Sequence, residues 1–153
     1  LSGTAGIESP SERRARRERD EQLARDAERD GVALFLERWL AQRLFETLPR
    51  NKAQLDIRLR AYTAGRLAHQ LRALGQGEQE PLWDRLPSLE MPVLIMCGQW
   101  DRGYTDVATR MAAAVGDNAQ LVVLPKAGHA LHLERPDEVA HELIAWLDGD
   151  ATA

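Results

Sequence analysis

The sequence predicts an α/β fold, parallel strands with flanking helices, preceded by an all-helical segment. Three observations carry that prediction. Two short apolar runs, Val93-Leu94-Ile95-Met96-Cys97 and Leu121-Val122-Val123-Leu124, have the length and composition of strands buried on both faces. Helix-like intervals separate and follow them, the alternation that builds a parallel sheet. Before about residue 85 the chain shows helical periodicity and charge but no strand signal.

Residues 1–6, ending Gly3-Thr4-Ala5-Gly6, read as a strand exit. Ser9-Pro10-Ser11-Glu12 has the form of a capping box with proline at the first helical position. The helix it opens is dense in Arg, Glu and Asp through Asp30. Pairs such as Arg16–Asp20 and Arg17–Glu21 lie at the i,i+4 spacing that supports an exposed helix. Asp30 is placed to cap a second helix over 32–42, where Val32, Phe35, Leu36, Trp39 and Leu40 share one face. A third helical segment is expected over 52–63. A fourth, over 65–74, carries Leu67, Leu71 and Leu74 on one stripe and stops at Gly75. After the first strand, Thr105 is placed to cap a helix with Val107, Met111 and Val115 inward, ended by Gly116. After the second, Arg135-Pro136-Asp137-Glu138 starts a last helix, with Val139, Leu143, Trp146 and Leu147 on one face and Asp148-Gly149 at its end. Residues 150–153 are expected to fray.

Bulk properties exclude several classes. The chain has 153 residues, 44% hydrophobic and 29% charged, enough for a packed core. Its net charge of −4 gives no electrostatic reason to bind nucleic acid or an anionic membrane. No apolar run approaches the ~20 residues of a membrane span. Cys97 is the single cysteine, so no internal disulfide forms, and a reducing, cytoplasmic setting is expected. The chain begins Leu1-Ser2-Gly3, and the first residue is expected not to be the natural start.

Each strand delivers one ionisable residue past its carboxyl end, where open α/β sheets build their sites. Asp101 follows Gly98-Gln99-Trp100, and His129 follows Ala127-Gly128. A carboxylate that accepts the Nδ1 hydrogen of a histidine fixes its tautomer and leaves Nε2 free as a base. These are two members of a nucleophile–base–acid triad. The third, on a G-x-S-x-G turn, is absent from the sequence. His132 is near His129 but has no third metal ligand in view, and no metal site is expected. His69 and His141 read as solvated helix residues, and Cys97 as a core thiol. The arginine cluster reads either as a solvated helix or as a source of guanidiniums for substrate carboxylates. Trp39 reads as core or as the aromatic wall of a pocket. Arg60, on another helix beside Tyr62, is a further candidate for the same cavity.

Two stretches carry a resemblance. Pro92-Val93-Leu94-Ile95…Gly98-x-x-Asp101, then Val122-Val123…Gly128-His129-x-x-His132-x-Glu134-x-Pro136-x-x-Val139, resembles the carboxyl-terminal part of α/β-hydrolase-fold enzymes. Ser9-Pro10-Ser11-Glu12-Arg13-Arg14-Ala15-Arg16…Asp20, Phe35-Leu36-Glu37-Arg38-Trp39…Gln42-x-Leu44-Phe45 and Arg60…Leu71-x-x-Leu74-Gly75-x-Gly77-x-Gln79…Leu82-Trp83-x-x-Leu86 resemble the helical lid of the 2-succinyl-6-hydroxy-2,4-cyclohexadiene-1-carboxylate (SHCHC) synthases. The resemblance implies that residues 1–6 end a core strand, 7–85 form the lid, and 86–153 form the carboxyl-terminal half of the core. It implies a lyase that eliminates pyruvate from a small anionic substrate, with Asp101 and His129 as acid and base behind a serine that acts as base. It assigns Arg16, Trp39 and Arg60 to the substrate's carboxylates and carbonyls, and implies neither metal nor organic cofactor. Two departures stand out: Arg43 replaces a usual proline, and Gly103-Tyr104 replaces a common Lys-Phe. The resemblance also implies that the amino-terminal half of the fold lies outside this chain. A longer protein or a partner chain is expected to supply it, and the chain alone is expected to be inactive. Two other readings stay open: an esterase or C–C hydrolase of the same fold, and a non-catalytic domain that associates with a partner chain.

Overall fold

The computed structural model describes residues 4–149. The chain divides into two compact units. One is helical and comprises Ala5–Gln42 and Gln54–Asp84; the other comprises Arg43–Ala53 with the described part of residues 85–153, and Thr4. Residues 43–53 therefore belong with the strands and not with the helices that flank them in sequence.

In the helical unit, α1 (Pro10–Leu40) starts as its residues dictate. Ser9 Oγ accepts from the Glu12 amide at 3.3 Å, and Pro10 stands at the first helical position. Two helices were expected here, and the run is indeed broken at Gly31, whose non-helical φ of 79° and ψ of 168° put a kink between its two halves; that φ only glycine adopts without strain. Asp30 does not cap the second part; its carboxylate binds Arg29 and Arg38, charge-assisted bonds stronger than a cap. Arg16 pairs with Asp20 as expected. Arg17 does not pair with Glu21: it donates to the Gly77 carbonyl and reaches Glu78, while Glu21 takes Arg25 and Arg72.

The third expected segment shortens to α2 (Leu55–Ala61), preceded by a separate 3-10 turn at Arg50–Lys52 and by Gln54 at φ 54°. The fourth is α3 (Ala64–Leu74), capped by Thr63 Oγ1 on the Arg66 amide. Leu67 and Leu71 pack against Ala27, Phe35 and Leu36 of α1. Ala24, Ala27 and Ala68 have no exposed surface, so the two helices approach closely over small side chains. Leu74 is 79% exposed; the apolar stripe ends one turn before the helix does.

In the other unit, β1 (Val93–Gly98) and β2 (Ala119–Leu124) pair in parallel, with Val93 opposite Ala119 and Gly98 opposite Leu124. The Asn118 side chain holds the start of the pair, donating to the carbonyls of Leu89 and Met91. Between the strands runs α4 (Arg102–Val115), which packs on both with Ala108, Met111 and Val115 buried. It begins three residues before Thr105, whose hydroxyl instead donates within the first turn toward the carbonyls of Gly98 and Asp101. Gly116, at φ 94°, ends it as expected. A short helix not anticipated from the sequence, α5 (Leu131–Glu134), precedes α6 (Pro136–Asp148).

β1 is buried along almost its whole length. β2 is not: only Leu124 is buried and Val123 is 40% exposed. The expectation of two-sided burial fails there because the helix that follows β2 does not cover it. Among its described residues α6 buries none, and Leu143, Ile144 and Leu147 lie exposed. Residues 1–3 of the expected strand exit, and the expected frayed tail 150–153, lie outside the described residues; 4–6 are irregular. No described helix is long and apolar enough to cross a membrane.

Candidate active site

The two strand ends are laced together before any side chain is considered. The Gln99 amide donates to the Leu124 carbonyl and the Trp100 amide to the Ala127 carbonyl, both at 2.9 Å; Gln99 Oε1 accepts from the Lys126 amide at 3.1 Å. Such close approach requires glycine at 98, since a Cβ there would lie 2.3 Å from the Gly128 carbonyl oxygen and 2.4 Å from that of Ala127. Gly128 is required for a similar reason: a Cβ there would lie 2.0 Å from Thr47 Oγ1.

On this frame, Asp101 and His129 meet. The Asp101 Oδ2 to His129 Nδ1 distance is 2.6 Å. Asp101 occupies the N-cap position of α4 yet makes no capping bond with its side chain, because the carboxylate is directed to the imidazole. It lies at the positive end of the α4 dipole, a favourable place for an anion. With a carboxylate at Nδ1, that nitrogen carries the hydrogen and donates it, and Nε2 is left with its lone pair. The His129 side chain is 29% exposed. Two aromatic rings confine it: Tyr104 at 4.6 Å between centroids, tilted by 56°, and Phe45 edge-on at 5.9 Å. A pair in this geometry is suited to furnish a base with a fixed tautomer and a carboxylate to stabilise its protonated form.

Around the His129 loop lie groups that the sequence alone did not single out. Glu134, 8% exposed, accepts from the amides of Gly128 and Ala130. Lys52 Nζ donates to the Glu134 carbonyl at 3.0 Å. Phe45, Thr47 and Lys52 all come from the 43–53 segment. No spacing rule links that segment to residue 129; only the fold does. The x-Glu134-x-Pro136 spacing was visible, but a buried acid that binds amides looks like any helix-start acid in sequence.

Cys97 is buried in β1; burial pushes its thiol up, the Asp101 charge adds to that, and a bond from Thr105 opposes it. It is the core thiol the sequence suggested. His132 is exposed, and among the described residues no group of three His, Cys, Asp or Glu side chains is placed to hold a metal ion.

The other three candidates lie in the helical unit. Arg16 is anchored: its Nε donates to both Asp20 oxygens at 2.9 and 3.0 Å, and its Nη1 to Gln76 Oε1 at 2.7 Å. Asp20 is 3% exposed, a buried carboxylate that orients the guanidinium. Trp39 is half-buried and stacks on Phe35 at 5.8 Å with a 16° interplanar angle. Arg60 is exposed on α2 and makes no ion pair among the described residues.

The model of the Alpha/beta hydrolase family matches residues 3–142. The chain belongs to that family. Within it, the resemblance is to the SHCHC synthases. A Bacillus subtilis protein provisionally named as that synthase is 33% identical over 142 residues, 88% of this chain and 50% of that protein. The SHCHC synthase of Yersinia pestis is 30% identical over 95% of this chain and 52% of its own length. The solved structure of MenH from S. aureus superposes with a TM-score of 0.91 at 26% identity, over 99% of this chain and 58% of that one. The chain thus spans about half the length of the bacterial relatives it matches.

Proposed function

We propose that this chain is the lid and carboxyl-terminal part of a lyase that eliminates pyruvate from a succinyl-cyclohexene carboxylate, as the SHCHC synthases' resemblance implies. The observation that carries the reading is the 2.6 Å contact between Asp101 and His129 at the ends of two adjacent parallel strands. A serine supplied by upstream chain or by a partner chain acts as the base that takes the substrate proton. His129 Nε2 accepts the serine hydrogen, and Asp101 stabilises the imidazolium that results. Electrons from the broken C–H bond form a C=C bond as the C–O bond to the leaving group breaks, and the departing enolate takes up a proton to become pyruvate. Anionic charge develops as they move, and backbone amides and guanidiniums are the groups suited to stabilise it. Arg16 and Arg60 hold the substrate's carboxylates, and Trp39 forms a wall of the pocket or donates to a carbonyl. Asp20 supports this role for Arg16, since a guanidinium held by a buried carboxylate meets an anion without first losing its own freedom.

The test is pyruvate release by the complete protein that carries this sequence, measured beside hydrolysis of p-nitrophenyl esters. Pyruvate release that is lost in Asp101→Asn and His129→Ala supports the lyase. Ester hydrolysis with no pyruvate release sinks it in favour of an esterase, and inactivity on both favours the non-catalytic reading.

A further inference from the structure

One buried acid beside His129 has no place in the acid–base pair. Glu134 Oε2 accepts from the Gly128 amide at 2.8 Å and Oε1 from the Ala130 amide at 3.1 Å. The two amides that flank His129 thus end on one carboxylate. It makes no ion pair among the described residues; these two N–H groups bind its carboxylate directly, with the Lys52 ammonium nearby at the Glu134 carbonyl. Burying a carboxylate without an ion-pair partner of its own is a costly way to close a loop. The chemistry gives a reason for it. Two neighbouring donors need two acceptors on one planar group, and only a carboxylate offers two acceptors with no donor. A glutamine would satisfy one amide and press its NH₂ against the other. The anchor is itself anchored: Lys52 holds the Glu134 carbonyl, and Thr47 Oγ1 packs where a Gly128 Cβ would stand.

We propose that Glu134 is a positioning residue for His129. By holding the Ala127–Gly128 peptide and the His129–Ala130 peptide it restrains the loop that carries the His129 Cα–Cβ bond, and so the approach of Nδ1 to Asp101. It thereby selects the Nδ1–H tautomer that leaves Nε2 free. The inference rests on His129 being the base, but its test needs no substrate.

The test uses the full 153-residue chain with ¹⁵N-labelled histidine, read by NMR. In the unaltered chain His129 shows the Nδ1–H tautomer and a downfield, slowly exchanging Nδ1 proton. Glu134→Gln shifts the tautomer population toward Nε2–H and speeds exchange of that proton roughly tenfold, the loss of about one net hydrogen bond. His69, His132 and His141 serve as internal controls and stay unchanged. Glu134→Asp, which keeps the charge but shortens the reach, gives an intermediate result and carries the test should the glutamine variant not fold. A folded variant with the His129 tautomer and proton unchanged, even at lower Tm, overturns the proposal and leaves Glu134 a structural residue only. If the tautomer shifts while the complete protein releases no pyruvate, the positioning role stands and the lyase reading falls.

Discussion

On the proposed reading His129 is the base of the site, so its removal is expected to be a severe single change. In the complete protein, His129→Ala lowers kcat on the order of 10⁴-fold, as loss of a triad base does, measured by pyruvate release at saturating substrate. The two arginines separate more cleanly than their shared charge suggests. Arg60 is exposed and makes no ion pair among the described residues, so Arg60→Ala raises KM and leaves Tm in place. Arg16→Ala raises KM roughly 10- to 100-fold through loss of a charged hydrogen bond to the substrate. It also strips the partner from Asp20, which is 3% exposed, and lowers stability by about 1–3 kcal/mol. Kinetics paired with denaturant melts distinguish the two effects. An unchanged KM in both variants removes the arginines from the site.

Between elements, the contact most sensitive to pH joins α3 to α1. Arg72 binds Glu21 and Glu28 at 2.7 Å each. Its bonds, with Arg25 assisting, hold Glu21 down from 4.5 to about 2, and Glu28 is lowered by the same guanidinium. A carboxyl depressed in the folded state favours folding above its ordinary pKa, and that contribution drains away as pH falls toward the depressed value. Tm therefore declines between about pH 4.5 and pH 2, and Arg72→Met flattens that decline. Glu28 and Arg72 are exposed and Glu21 is only partly buried, so the effect is modest and high salt shrinks it. An acid limb identical in the two proteins refutes the clamp. The elements themselves were largely legible. Ser9-Pro10 and Gly116 mark helix ends by local chemistry that distant contacts do not overrule. The misses have particular causes. Thr105 looked like a cap because threonine's preference is local, while Asp101, the true cap position, has its side chain engaged by residue 129. Glu21 looked like the partner of Arg17 because spacing along one helix says nothing of Arg72 on another.

For the whole chain, the contact between Asp101 and His129 was legible because each follows its own strand, and parallel strands bring their carboxyl ends to one rim. What surrounds the pair was not. Phe45 reaches His129 from a segment 84 positions away, and no periodicity encodes that separation. The apolar runs misled in one respect, and the exception has a consequence in solution. β2 and α6 have the composition of buried elements, yet Val123, Leu143, Ile144 and Leu147 are 40%, 42%, 59% and 72% exposed. Large apolar side chains exposed in this number, three of them within one turn and a half of α6, are unfavourable in water and favour association. A second copy is the partner always present in a purified sample. The chain by itself is therefore expected to self-associate with rising concentration, seen as earlier elution on sizing and a larger mass by light scattering. Ile144→Glu and Leu147→Glu together place two charges on that surface and shift the sample toward monomer. Because both side chains are already exposed, the substitutions leave Tm nearly unchanged, which separates lost association from lost folding. A chain that stays monomeric across a hundredfold range of concentration shows instead that these residues tolerate water singly, as scattered surface leucines do.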